Sequence, residues 1–217
     1  MTLPHGTARS TARLAGAALR ALLALTVLCG VLYPLAVTGI AQAAFPHRAN
    51  GSEVRADGRT VGSPLIGQTY TLDRKDKDGN PLPDPKYFQP RPSAVGTNTI
   101  NTQYKIIVSG GSNLAADSTV LTRSIKERRG QIAAFNGVSP AAVPADAVTA
   151  SASGVDPDIS PAYATLQVTR VARANGLPRA EVARLVEDHT EGRSLGFLGE
   201  PRVNVLELNI ALHRLDK

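Results

Sequence analysis

Gly192-Arg193-Ser194-Leu195-Gly196 has the spacing G-x-S-x-G, which in α/β-hydrolases holds a nucleophilic serine on a strained turn between a strand and a helix. Such a hydroxyl needs a histidine to take its proton and an acid to orient that histidine. Here a helical pattern precedes the motif, and only 21 residues follow Gly196. The candidates His213 and Asp216 also come in the wrong order, histidine before acid. A glycine-bounded turn is therefore expected, with a membrane-anchored or secreted hydrolase using Ser194 as the alternative.

Ser109-Gly110-Gly111-Ser112-Asn113 suggests different chemistry. Two glycines flanked by hydroxyls, with a helix cap soon after, can turn backbone N–H groups toward an anion. A plain loop between strand and helix explains the same residues. Asp156-Pro157-Asp158 resembles an acid/base pair, but proline between two acids just before a helix cap is turn chemistry. His189 lies among Glu187, Asp188 and Glu191 with no second histidine or cysteine at ligand spacing, so it reads as a helix-end residue. Asp76, Asp78 and Gly79 imitate the middle of a calcium loop. The full register would place Arg74 at the first ligand position and Pro85 where a bidentate glutamate belongs. No phosphate-loop or dinucleotide fingerprint occurs. Neither a metal site nor a self-sufficient catalytic set is expected.

The elements that must carry these residues follow from composition and patterning. A chain of 217 residues fits one domain plus an appendage. With no Trp, four Phe and five Tyr, its core must be aliphatic. The net charge of +6 is unevenly spread: Arg9, Arg13 and Arg20 stand before Ala44 with no acid, leaving 21 Lys/Arg against 18 Asp/Glu. That balance, with few aromatics, argues against nucleic-acid binding.

From Ala21 to Ala41 no charge interrupts the chain. As a helix this run extends about 31 Å, enough to cross a bilayer core. It is too long for the apolar core of a cleaved signal peptide, and Cys29 lies mid-run rather than at a lipidation site. The basic residues before it place the N-terminus in the cytoplasm and the rest of the chain outside, in the cell membrane as a single-pass protein. The expected organisation is a cytoplasmic N-terminus over 1–20, a transmembrane helix over 21–41, a juxtamembrane linker over 42–62 and an exported α+β domain over 63–217, helical in its C-terminal half.

Within that domain, Val61–Ile66 reads as a strand end and Asp73–Lys86 as a charged, proline-rich loop. Asp117 or Ser118 caps a helix running to about Gln131. Ala145–Ala152 reads as extended. Ser160-Pro161 starts a helix that ends at Asn175 before Gly176. Further helices begin near Pro178 and Val203, the last with Val205, Leu208, Leu212 and Leu215 on one stripe.

A series of segments in fixed order carries a resemblance. They are Tyr33-Pro34, Thr38-Gly39-Ile40, Ala49-Asn50-Gly51-Ser52, Gly62-Ser63, Leu65-Ile66-Gly67-Gln68 and the run from Tyr87 to Ala94. Ser109–Asn113, Val148–Gly154, Asp158–Pro161, Gln167-Val168, Arg170-Val171-Ala172 and Gly199–Leu212 follow. Together they resemble the C subunits of Kdp potassium-transporting P-type ATPases; the Leu72–Lys86 loop is longer than in the family's shortest members. The resemblance implies an accessory, non-catalytic subunit of an ATP-driven, high-affinity potassium pump. Its partners would be a channel-like potassium-translocating subunit, a P-type ATPase subunit and a small hydrophobic subunit. No cofactor of its own is implied, ATP entering through the ATPase subunit. The family is described as a catalytic chaperone that raises ATP affinity, with nucleotide contact at a Ser-Gly-Gly segment, here Ser109, Gly110, Gly111, Ser112 and Asn113. Charge asymmetry puts that segment outside, whereas ATP is cytoplasmic. An assembly role, with the outer domain over the potassium entrance, is the competing expectation.

Overall fold

The apolar run forms one uninterrupted helix: α1 (Ala8–Val27), a π-helical turn over Leu28–Leu32, and α2 (Tyr33–Ala44). Leucine and alanine dominate it, and none of its side chains is buried in the 35 residues from Ser10 to Ala44. The π turn has a local cause. Pro34 has no N–H to donate to the carbonyl four residues back, and its ring crowds that carbonyl. The backbone widens just before it, and the Tyr33 N–H reaches back five residues to the Leu28 carbonyl. The helix stops at Phe45, whose φ is −138°, and a single turn α3 (Pro46–Ala49) follows. Gln42 and Asn50 exchange side-chain hydrogen bonds at 3.2 and 3.0 Å across this corner.

The computed structural model describes residues 8–77, 79–93, 100–101, 106–107 and 109–215; Asp78, Ala94 and Asp216 fall outside them. The chain divides into two units, one ending at Ser52 and one starting at Glu53. Within the second, β1 (Val54–Ala56) and β2 (Arg59–Gly62) form a hairpin. Its turn is Asp57-Gly58, with φ of 51° and 77°. The stretch 42–62 thus contains a helix end and a hairpin. Asp-Gly tolerates the left-handed backbone that a two-residue hairpin turn requires.

The charged stretch after Thr71 is also a hairpin, β3 (Thr71–Lys75) with β4 (Pro81–Pro83), not the loop expected. Asp76 closes it: its N–H donates to the Asn80 carbonyl and its carboxylate accepts from the Asn80 N–H, both at 2.8 Å. β5 (Ile100–Asn101) pairs with β6 (Ile106–Ile107).

Helix α4 (Thr119–Asn136) starts at the expected cap, Ser118, but runs five residues past Gln131. Gly130 is tolerated inside it, Ala133 is buried in the core, and the left-handed Gly137 ends it. A 3-10 turn at Pro140–Ala142 leads to α5 (Ala145–Val148). The extended segment expected at Ala145 is therefore a helical turn there. The Asp146 carboxylate holds it by accepting from both the N–H and the hydroxyl of Ser160, at 2.9 and 2.8 Å.

After β7 (Asp158–Ile159), α6 (Pro161–Asn175) has Ser160 as its cap and Gly176 as its stop. α7 (Arg179–Asp188), β8 (Thr190–Glu191), β9 (Arg202–Asn204) and α8 (Val205–Leu215) complete the domain. β9 is the centre of an antiparallel sheet of order β7-β9-β8. The core is aliphatic, as the composition requires: Val168 and Val171 meet Val182, Val186, Val203, Leu208 and Leu212, with Phe88 fully buried among them.

Phe88 lies in an extended segment whose backbone is served by side chains rather than strands. Asn209 accepts from the Phe88 N–H at 2.9 Å and donates to its carbonyl at 3.0 Å. Gln167 does the same for Gln89, at 2.7 and 3.1 Å. Two amides, one from α6 and one from α8, thus imitate strand neighbours and satisfy buried backbone groups.

Candidate functional site

Ser109–Asn113 lies against the turn at 151–154. The Gly110 N–H and the Ser109 hydroxyl both donate to the Ser153 carbonyl, each at 2.8 Å. A Cβ on Gly111 would stand 2.8 Å from the Ala152 carbonyl oxygen, so a glycine is what lets these two backbones approach. Gly110 faces open space, Asn113 has a left-handed φ of 51°, and Ser112 and Asn113 are exposed. At the nearby N-terminus of α4, the Ser118 hydroxyl accepts from the Leu121 N–H at 3.4 Å. Packing against 151–154 therefore engages two donors that an anion would otherwise use.

The receiving turn is rich in hydroxyls. Ser151 and Ser153 lie 3.1 Å apart, the Gly154 N–H donates to Ser151 and the Ser93 hydroxyl donates to the Gly154 carbonyl at 2.7 Å. Below it, Arg91 bridges Asp156 at 2.9 Å and reaches Thr149. Asp158 pairs instead with Arg202 at 3.2 Å and with Asn204. Burial raises its carboxyl pKa against the opposing pull of Asn204 and Arg202. The two acids thus each have their own cation, as befits a turn rather than an acid/base pair.

Ser194 is the base of a hairpin tip. It exchanges both backbone hydrogen bonds with Leu198 at 2.9 Å, around Leu195 and Gly196 with φ of 55° and 82°. The chain leaves this turn toward β9 and not into a helix. His213, on α8, pairs with Asp57 at 3.6 Å. The hydrolase alternative has no support here, because the strand–turn–helix context that activates the serine is missing. What the tip does show is three exposed apolar side chains: Leu195 at 83%, Phe197 at 68% and Leu198 at 51%. Charges at its base are paired, Arg193 with Glu200 and Arg202 with Glu191, both at 2.7 Å. His189 caps the end of α7, with Nδ1 2.9 Å from the Leu185 carbonyl.

Sequence reasoning missed Arg170. This arginine of α6 is 8% exposed. It donates to Asn136 Oδ1 at 2.9 Å, the Pro85 carbonyl at 2.5 Å, the Tyr87 carbonyl at 3.0 Å and Gln167 Oε1 at 2.7 Å. Its guanidinium carbon lies 4.4 Å from the centre of the Phe135 ring. Burial lowers the guanidinium to about 10, with Tyr163 and Asp84 pulling the other way.

A family model described as "KdpC: K+-transporting ATPase, c chain" matches residues 15–214. A relative from Streptomyces avermitilis, a potassium-transporting ATPase KdpC subunit, is 56% identical, covering 95% of this chain and 96% of its own. Proteins of the same name from Streptomyces coelicolor and Sorangium cellulosum are 55% and 53% identical, covering 95% and 90% of this chain and 94% of each of theirs.

Proposed function

The chain belongs to the KdpC family, the c chains of K+-transporting ATPases, and we propose that it serves its ATPase as an assembly subunit. One observation supports this reading: a helix of 35 residues, Ser10–Ala44, apolar and long enough to cross a membrane. At 1.5 Å per residue it extends about 52 Å, well beyond a bilayer core of about 30 Å. Such a helix spans the membrane and offers its flanks to other membrane subunits, here the channel-like translocator, the P-type ATPase subunit and the small hydrophobic subunit.

Arg13 and Arg20 on the helix, with no acid in its length, support an N-terminus in the cytoplasm and a domain outside, and in this reading the domain covers the potassium entrance. The apolar tip Leu195–Leu198, rimmed by ion pairs, has the make-up of a contact between subunits. The chain has no Asp-Lys-Thr-Gly-Thr phosphorylation motif, which suits a non-catalytic role. In this reading Gly111 is a packing device, and ATP affinity changes through assembly rather than through nucleotide contact at Ser109–Asn113.

The experiment is a cysteine at the exposed Ser112, probed in intact cells with a membrane-impermeant maleimide. Cys29, inside the span, stays silent. Labelling of intact cells is expected. Labelling only after lysis overturns the orientation and puts Ser109–Asn113 on the side where ATP is.

A further inference from the structure

Between the β1–β2 hairpin, the Gln68–Thr71 segment and α8 lies a cavity of about 860 Å³. Three arginines line it: Arg55 and Arg59 from the hairpin and Arg214 from the last turn of α8. Among the described residues, none of the three has a carboxylate within ion-pair distance. The acid in the lining is Asp57, which faces His213 at 3.6 Å.

Deeper in, the lining changes character. Val61, Leu206 and Ile210 contribute apolar surface, and Tyr70 stacks on Tyr87 with ring centres 5.3 Å apart. The Tyr70 hydroxyl accepts from Gln68 at 3.2 Å, and burial raises its pKa, so it adds no negative charge. The three arginines outnumber the one carboxylate of the lining, so the opening carries a net positive charge that a bound anion relieves. Arginine forks are suited to phosphate oxygens. A free phosphate would use the rim and leave the apolar wall bare. A ligand with a phosphate head and an apolar body uses both.

We propose that this cavity binds the head and upper acyl region of an anionic phospholipid. Ten residues lie between Ala44, where the apolar helix ends, and Arg55, so lipid headgroups are the phosphates at highest local concentration. The inference does not depend on which side of the membrane the domain faces, so it stands or falls separately from the proposed orientation.

The test uses the full chain in neutral detergent, titrated with phosphatidylglycerol or phosphatidylcholine and read by native mass spectrometry. Phosphatidylglycerol is expected to stay bound and phosphatidylcholine to dissociate. Replacing Arg55, Arg59 and Arg214 together by Ala should weaken retention roughly a hundredfold, at about one basic contact's worth per arginine. The triple Lys variant should recover most of it, and Arg13→Ala/Arg20→Ala should keep it. The single variants Arg59→Glu and Arg214→Glu, which leave the rest of the site intact, should each reduce it. Equal retention of phosphatidylcholine, or of phosphatidylglycerol by the Ala and Glu variants, overturns the proposal. So does loss only in the Arg13/Arg20 variant, which would place the lipid on the helix. Displacement of the lipid by millimolar inorganic phosphate overturns it as well, by showing a site for the free ion.

Discussion

Truncating Arg170 to Ala removes a side chain that joins α4, α6 and the segment ahead of Phe88. Of its four acceptors, Gln167 Oε1 keeps the Gln89 N–H and Tyr87 O keeps a long contact from the Gln89 side chain. Pro85 O and Asn136 Oδ1 lose their donor. Each orphaned buried acceptor costs roughly 1–3 kcal/mol, about 4 together. Losing the aliphatic stem and the contact with Phe135 costs about 2 kcal/mol more. Against this stands relief from burying a charge: a guanidinium lowered by burial to about 10 corresponds to about 3 kcal/mol. The sum is a net loss of about 3 kcal/mol. For a domain of this size that lowers the melting temperature by about 6–12 °C. Arg170→Met, which keeps the stem, should lose less than half as much. Thermal unfolding of the full chain in detergent measures both variants. Hydrogen exchange should rise at the Phe88 and Gln89 amides. An Ala variant melting within about 2 °C of the wild type, with those amides still protected, refutes the claim that this cation holds the segment.

Burial pushes the Tyr163 hydroxyl up to about 12, so the folded state keeps its proton while the unfolded chain ionises from 10.0. Stability intact below pH 10 should therefore fall by about 2 kcal/mol as the pH rises to 12, and Tyr163→Phe should remove that decline. Tyrosinate absorbance, unobscured because the chain has no Trp, follows the titration directly. Gly111→Ala should destabilise the domain by about 1–3 kcal/mol, since its Cβ meets backbone at 2.8 Å. Gly110→Ala meets nothing and should leave both stability and the pump's KM for ATP unchanged; a large rise in that KM would refute the assembly reading.

Local signals were legible wherever one residue type does one job. Ser160 with Pro161 and Gly176 marked both ends of α6, and Ser118 marked the start of α4, because caps act on their own backbone. The uncharged run from Ala21 to Ala41 announced the helix for the same reason. Asp57-Gly58 was equally local, but its flanking strands are three and four residues long and lack an alternating pattern, so the stretch read as linker. Ala145–Val148 depended on Asp146 meeting Ser160, fourteen residues on. Arg170 was invisible in principle: on its own helix it looks like a wet basic residue, and its carbonyl partners lie 83 and 85 residues earlier. The cavity arginines share this, since nothing near Arg55 in the chain points to Arg214.

The π turn at Leu28–Leu32 has a consequence for how the span meets its neighbours. One extra residue per turn rotates every later side chain by roughly 100° relative to an unbroken α-helix. A stripe followed up from Ala8 therefore does not continue through Tyr33; it jumps to another side of the rod. A straight companion helix running alongside would match one half and lose the other. The span is in effect two short docking faces stacked end to end and pointing in different directions. One helix can then lie between two different companions at two depths of the bilayer.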